Sequence, residues 1–187
     1  DGYGFGIKKV MEQQAVTSGI IGSVADIIKV EEKYETAIET ALGGSIQNIV
    51  TDTQKTAKKM IEYLKKNRYG RVTFLPLDAV KGKEFARKEI LLEPGVIGAA
   101  NQLVIYDEVY KDLFASLLGQ ILVVKDMDAG IKIANKYHHS VRIVTLDGDS
   151  LNRGGAMSGG AFKNKSNLLG RSREVEELKK KLDRWTK

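Results

Sequence analysis

Residues 34–50 read YETAIETALGGSIQNIV, a helix, a stop and a strand in succession. Tyr34, Ala37, Ile38, Ala41 and Leu42 recur at helical spacing and give the segment one apolar face. Gly43 follows as a left-handed stop. Ile46 to Val50 is short, apolar and partly β-branched, which predicts a strand. Further on, Thr53 is placed to cap a helix carrying Ala57, Met60, Ile61 and Leu64. Val72 to Leu75 then predicts a second strand, ending at Pro76.

This unit occurs twice. Gly19-Ile-Ile-Gly22 is matched by Gly95-Val-Ile-Gly98, and at the same offset Tyr34 meets Tyr110, Leu42 meets Leu118 and Gly43 meets Gly119. After a two-residue slip Ile49-Val-Thr-Asp52 aligns with Val123-Val-Lys-Asp126, and Arg71-Val-Thr-Phe-Leu75 with Arg142-Ile-Val-Thr-Leu146. The second copy reads as helix over 109–118, strand over 121–124, helix over 129–137 and strand over 141–146. An ordered repeat of this length indicates two related lobes of the α/β class, with helices packed on mixed sheets.

The lobes are expected at 16–94 and 95–170, with an entry segment at 1–15 and a returning helix over 171–187. In that last segment Val175, Leu178, Leu182 and Trp185 have the spacing of a coiled-coil seam flanked by Glu and Lys. An amphipathic helix lying on the core is the other reading. Ile7, Val10 and Met11 suit a shorter partner, so the two stubs read as the cut ends of a longer coiled coil. A start at Asp1 without Met fits a piece of a longer polypeptide.

With 187 residues, 42% of them hydrophobic, the chain buries a real core and is not a disordered polymer. No apolar run approaches the ~18–20 residues that span a bilayer, and no signal-peptide pattern opens the chain. The absence of Cys excludes disulfides, thiolate zinc sites and Cys nucleophiles, and makes a reducing, cytoplasmic setting the default.

The net charge of +6 is unevenly placed. Residues 1–149 carry 20 basic and 20 acidic side chains, whereas residues 150–187 carry 10 basic and 4 acidic. Arg153, Lys163, Lys165, Arg171 and Arg173 stand in a run without an acid. Clustered cations suit a polyanion, because neutralising phosphates releases counterions. A solvated basic segment without a partner is the alternative.

Catalytic groups are sparse. His138 and His139 are adjacent and would diverge by about 100° on a helix, which does not suit a shared metal. Ser158 misses the nucleophile-elbow pattern by one place, Asp147-Gly-Asp149 reads as a turn, and no Walker string or dinucleotide fingerprint occurs. No cofactor or metal is expected. The unusual feature is Gly154-Gly155-Ala156-Met157-Ser158-Gly159-Gly160, whose glycines are entropically expensive unless the missing Cβ is used. A linker, a phosphate cradle and close approach of another backbone all remain open. The cradle, with Asp147 and Asp149, would belong to a phosphate- or nucleotide-binding enzyme domain.

Taken in order, GIIGSVADII (19–28), YETAIETALGGSIQNIV (34–50), GRVTFLPL (70–77), RIVTLDGD (142–149) and GGAMSGG (154–160) resemble the hinge domains of bacterial SMC (structural maintenance of chromosomes) condensin-type proteins. The resemblance covers roughly residues 5–172. One departure is Arg153, where such hinges often have Pro. The resemblance implies a non-enzymatic homodimerisation module in which edge strands of two copies pair, with Gly154, Gly155, Gly159 and Gly160 at the contact. It implies DNA binding, in several cases preferring single strands, through lysines after the glycine stretch. Lys163 matches such a position and Lys165 more loosely, and Arg153, Arg171 and Arg173 complete the candidate site. It also implies nucleoid association, coiled-coil arms, and distant ATPase heads that bind accessory subunits.

Overall fold

The computed structural model of the chain describes residues 4–160 and 168–186. A first helix, α1 (Phe5–Glu12), leads through a single 3-10 turn to strand β1 (Ile20–Ser23) and then β2 (Lys29–Val30). Helix α2 (Glu35–Leu42), strand β3 (Ile49–Thr51), helix α3 (Gln54–Asn67) and strand β4 (Phe74–Pro76) complete the first lobe. A strap with a short helix, α4 (Lys88–Leu91), crosses to β5 (Val96–Ala99), β6 (Val104–Ile105), α5 (Lys111–Leu118), β7 (Ile121–Val124), α6 (Met127–Lys136) and β8 (Arg142–Thr145). The chain ends with β9 (Ser150–Leu151), β10 (Met157–Ser158) and a long helix, α7 (Leu168–Thr186).

The repeat is real in three dimensions. Each lobe has one antiparallel and one parallel pairing: β1 with β3 and β3 with β4 in the first, β5 with β7 and β7 with β8 in the second. Even the irregularity repeats, since a register shift follows Ile20 in one lobe and Val96 in the other. The strands β2 and β6, which correspond to each other, pair antiparallel and stitch the lobes together about a pseudo-two-fold. Beyond β8 the second sheet adds β9 and β10, giving the order β10-β9-β8-β7-β5 against β1-β3-β4 in the first.

The structure corrects the alignment in detail. Gly22 pairs with Val50 and Gly98 with Val123, so Thr53, not Asp52, corresponds to Asp126. Both are N-caps: the Thr53 hydroxyl accepts from the Thr56 N–H at 3.2 Å, and the Asp126 carboxylate from the Ala129 N–H at 2.9 Å. Similarly Ile49 pairs with Phe74 and Leu122 with Ile143, so Phe74-Leu-Pro-Leu77 corresponds to Ile143-Val-Thr-Leu146, not to Arg142 onward. The strand expected from Ile46 begins only at Ile49, because Gly43–Gln47 coil into a 3-10 turn closed by the Asn48 N–H on the Ser45 carbonyl. The first strand of each lobe was not foreseen, its glycines having read as turns.

Period-two alternation in the strands divides the core. Val50, Val123 and Val144 point inward to a central cluster with Ile38, Leu113 and Phe114, where α2 and α5 lie between the two sheets. Ile49 points the other way, to Met60 and Leu64 of α3 and Val10 of α1. Leu122, Val124 and Ile143 likewise pack on Ile133 of α6 and on Ile90. The lobes thus share one core and carry α3 and α6 on opposite outer faces. Arg142 of β8 crosses the junction and donates to the carbonyls of Thr40 and Ala41, both at 3.1 Å, at the open end of α2.

Candidate functional site

The glycine-rich stretch is the far edge of the second sheet. Leu151 pairs with Met157 and Ser150 with Ser158, and the Asn152 N–H donates to the Ala156 carbonyl at 2.8 Å to close the hairpin. Inside it the Gly155 N–H returns to the Asn152 carbonyl at 3.1 Å, with φ +86° at Gly154. A β-turn with positive φ at its third residue favours Gly there and accepts Pro at its second. Arg153 fills that second position, which explains how it can stand where the resembled hinges often have Pro. The Gly154 N–H reaches the His139 carbonyl at 3.0 Å and holds the turn to the end of α6.

The four glycines have different reasons to be bare. A Cβ at Gly159 would stand 2.4 Å from Oδ1 of Asp149, a carboxylate that the Thr145 hydroxyl also holds at 3.3 Å. That glycine is crowded within its own chain by a side-chain end that must turn aside to admit a Cβ. At Gly154, Gly155 and Gly160 a Cβ would meet no described atom within 4 Å, but φ of +86°, +104° and +129° makes each a position that its own backbone reserves for glycine. They lie beside β10, the last strand of its sheet.

The first sheet has a corresponding open edge at β4, where Pro76 supplies no N–H, as befits an edge. A groove lies beside each edge. One has Ala57 and Ile61 of α3 with Phe74 and Pro76 as its apolar part and Gln54, Lys58, Glu62 and Lys65 of α3 around it; the other has Ile131 and Ala134 of α6 with Leu151 and Met157, beside Asn135, His139 and Asn152. Ile61 is 40% exposed and Met157 54%. An apolar side chain beside an unpaired strand is a surface suited to cover.

The cations fall into three groups. Arg153 is exposed at the hairpin tip and Arg171 is exposed on α7. Arg173 faces inward: its Nε lies 2.6 Å from Glu35, a carboxylate with 6% side-chain exposure, and NH1 lies 3.3 Å from Glu177. Glu35 holds this guanidinium firmly protonated. Lys163 and Lys165 lie outside the described residues. A further set was missed. Lys55, Lys58, Lys59, Lys65 and Lys66 share the outer face of α3, opposed there by Glu62 alone, with Arg68 just beyond. Their spacing was visible, but the acids elsewhere in residues 1–149 cancel them in a total. The positions that correspond to these lysines in the second lobe carry Asp128, Ile131, Lys132, His138 and His139, so a face this basic belongs to one lobe.

The other candidate groups take backbone roles. His138 and His139 both adopt positive φ, 57° and 55°, as the chain leaves α6. Asp147 lies in the β8–β9 turn, which closes with the Thr145 N–H on the Asp149 carbonyl at 2.9 Å. Among the described residues no group of three or more His, Asp or Glu is placed to hold a metal ion, and no helix is long and apolar enough to cross a membrane.

Residues 17–134 match the model of the SMC proteins flexible hinge domain. The chain is 44% identical, over 98% of its length, to the chromosome partition protein Smc of Desulfitobacterium hafniense, and spans 16% of that relative. It superposes on one chain of the crystal structure of an asymmetric dimer of the Geobacillus stearothermophilus SMC hinge domain with TM-score 0.89 and 43% identity, covering 98% of this chain and 75% of that one. For the Pyrococcus furiosus SMC hinge domain the values are 0.68 and 31%, with 86% and 88% covered.

Proposed function

We propose that this chain, which belongs to the family of SMC flexible hinge domains, joins two copies of itself through its two open sheet edges and holds DNA beside the joint. The observation that carries this reading is that, of the edge strands β1, β4, β5 and β10 of the two lobe sheets, β4 on one lobe and β10 on the other each lie beside a groove with exposed apolar side chains. A two-fold axis sets β4 of each copy against β10 of its partner, giving two equal contacts that close a ring. The second contact forms at high effective concentration, which adds avidity. Gly154, Gly155 and Gly160, which their positive φ already requires, leave backbone without side chains at the approach, and the apolar parts of the grooves beside the edges cover one another. The Geobacillus stearothermophilus relative is described as a dimer, which supports self-association.

The cysteine-free sequence gives a direct test. Thr73→Cys beside β4 and Ser158→Cys on β10, combined in one chain, should yield a covalent dimer with a short bis-maleimide. Each single variant should stay uncoupled. Equal coupling in a single variant, or none in the pair, overturns the edge assignment.

For nucleic acid, Arg153, Lys163, Lys165 and Arg171 supply phosphate contacts, and the basic face of α3 extends the surface. If about five cations touch phosphates, log K falls against log salt with a slope near −3.5 to −4.5. Aromatic side chains are few in this region, so base preference should be weak. Lys163→Glu with Lys165→Glu should weaken binding of a single-stranded oligonucleotide and leave the dimer intact; equal affinity at moderate salt removes both from the site. The curated relatives are named chromosome partition proteins. On that basis we assign the longer polypeptide to chromosome condensation and segregation, cytoplasmic and nucleoid-associated. Its coiled-coil arms would lead to ATP-binding heads that engage accessory subunits.

A further inference from the structure

Only the first turn of α7 belongs to the core. Leu168 and Leu169 are 7% and 3% exposed, whereas Val175, Leu178, Leu182 and Trp185 are 50% to 87% exposed. Beyond that turn the helix borders the β2 segment, with Ser172, Glu176 and Lys180 beside Ile28, Lys29 and Val30, and is held by polar contacts. Two carboxylates one turn apart on α2 hold it. Oε1 of Glu39 accepts the backbone N–H of Leu169 at 3.1 Å, and Oε2 of Glu35 accepts Nε of Arg173 at 2.6 Å. Arg173 also lies 3.9 Å from Glu32 and 3.3 Å from Glu177, one turn further along α7.

Glu35 is an isolated expense unless it is paired, being 4% exposed overall. Arg173 meets that need with a short, charge-assisted bond, the strong class of hydrogen bond. The guanidinium reaches acids on both sides of the junction, so one side chain ties the exposed part of α7 to α2 and to the turn before it. The other exposed helix is attached differently. Phe5 of α1 meets Tyr69 edge-on at 5.4 Å between ring centres, and Lys9 lies over both rings.

We propose that Arg173 and Glu35 form a latch that fixes the direction of α7 relative to the first lobe, and that Arg173 is a positioning residue, not a phosphate contact. The latch sits within one copy and does not rest on the edge pairing. Its test uses the whole chain with spin labels at Lys59→Cys on α3 and Lys179→Cys on α7, diluted in unlabelled protein so that only distances within one copy are read. The parent should give one narrow distance distribution. Arg173→Ala should broaden it about two-fold or more, as expected when an element loses its second anchor. Glu35→Gln, a gentler change, should broaden it less, and Glu177→Gln should leave it narrow. Affinity for a single-stranded oligonucleotide should stay within about two-fold in Arg173→Ala, since phosphate contacts elsewhere are intact. Parent-like widths in both Arg173→Ala and Glu35→Gln overturn the latch, and so does a tenfold loss of oligonucleotide binding at unchanged width.

Discussion

At Gly159 a methyl group would displace the Asp149 carboxylate, whose Oδ1 stands 2.4 Å from the place of a Cβ. Gly159→Ala should therefore strain the β9–β10 hairpin and lower stability by about 1–3 kcal/mol, read from the urea midpoint. Adding Asp149→Ala should recover most of the loss. A cost that persists in the double variant would place the clash elsewhere. Gly155, by contrast, meets no described atom within 4 Å of where its Cβ would stand, but its φ of +104° means that a side chain there strains its own hairpin before any effect between copies is felt. The sequence made these glycines conspicuous as a group. It did not separate them, because Asp149 is brought beneath Gly159 only when the chain folds back on itself.

Among the elements, α2 carries the join between lobes. Its last carbonyls are open where Gly43 turns the chain with φ +54°, and Arg142 from the other lobe satisfies two of them. Burial lowers the basicity of that guanidinium, and its Nε lacks a partner among the described residues. Arg142→Ala should cost about 1.5–3 kcal/mol, the range for hydrogen bonds to a charged group. A urea midpoint shifted by much less would mean that water caps α2 as well as Arg142 does. The helix–strand units were legible because their apolar spacing is local. Their exact correspondence was not, since Arg71 and Arg142 look alike in sequence yet pairing places Phe74 opposite the role of Ile143. The two-residue strands β2 and β10 were invisible because too few side chains alternate to show a period, and β1 because its glycines read as a turn. The basic face of α3 escaped for a different reason: a net charge summed over 149 residues hides a helix face.

For the whole molecule, the repeat explains why the protein has two ends that differ. A pseudo-two-fold through the β2–β6 ribbon gives each lobe the same inner half-core, closed by Ile38 from one side and Phe114 from the other. The lobes then diverge at their outer strands, where one sheet stops at β4 and the other continues to β10. Unlike ends on one copy are what two equal contacts between copies require. Light scattering across a wide range of concentrations tests this most directly. The account predicts a particle of twice 20.7 kDa that persists on dilution to micromolar chain, and a particle of 20.7 kDa at every concentration would contradict it.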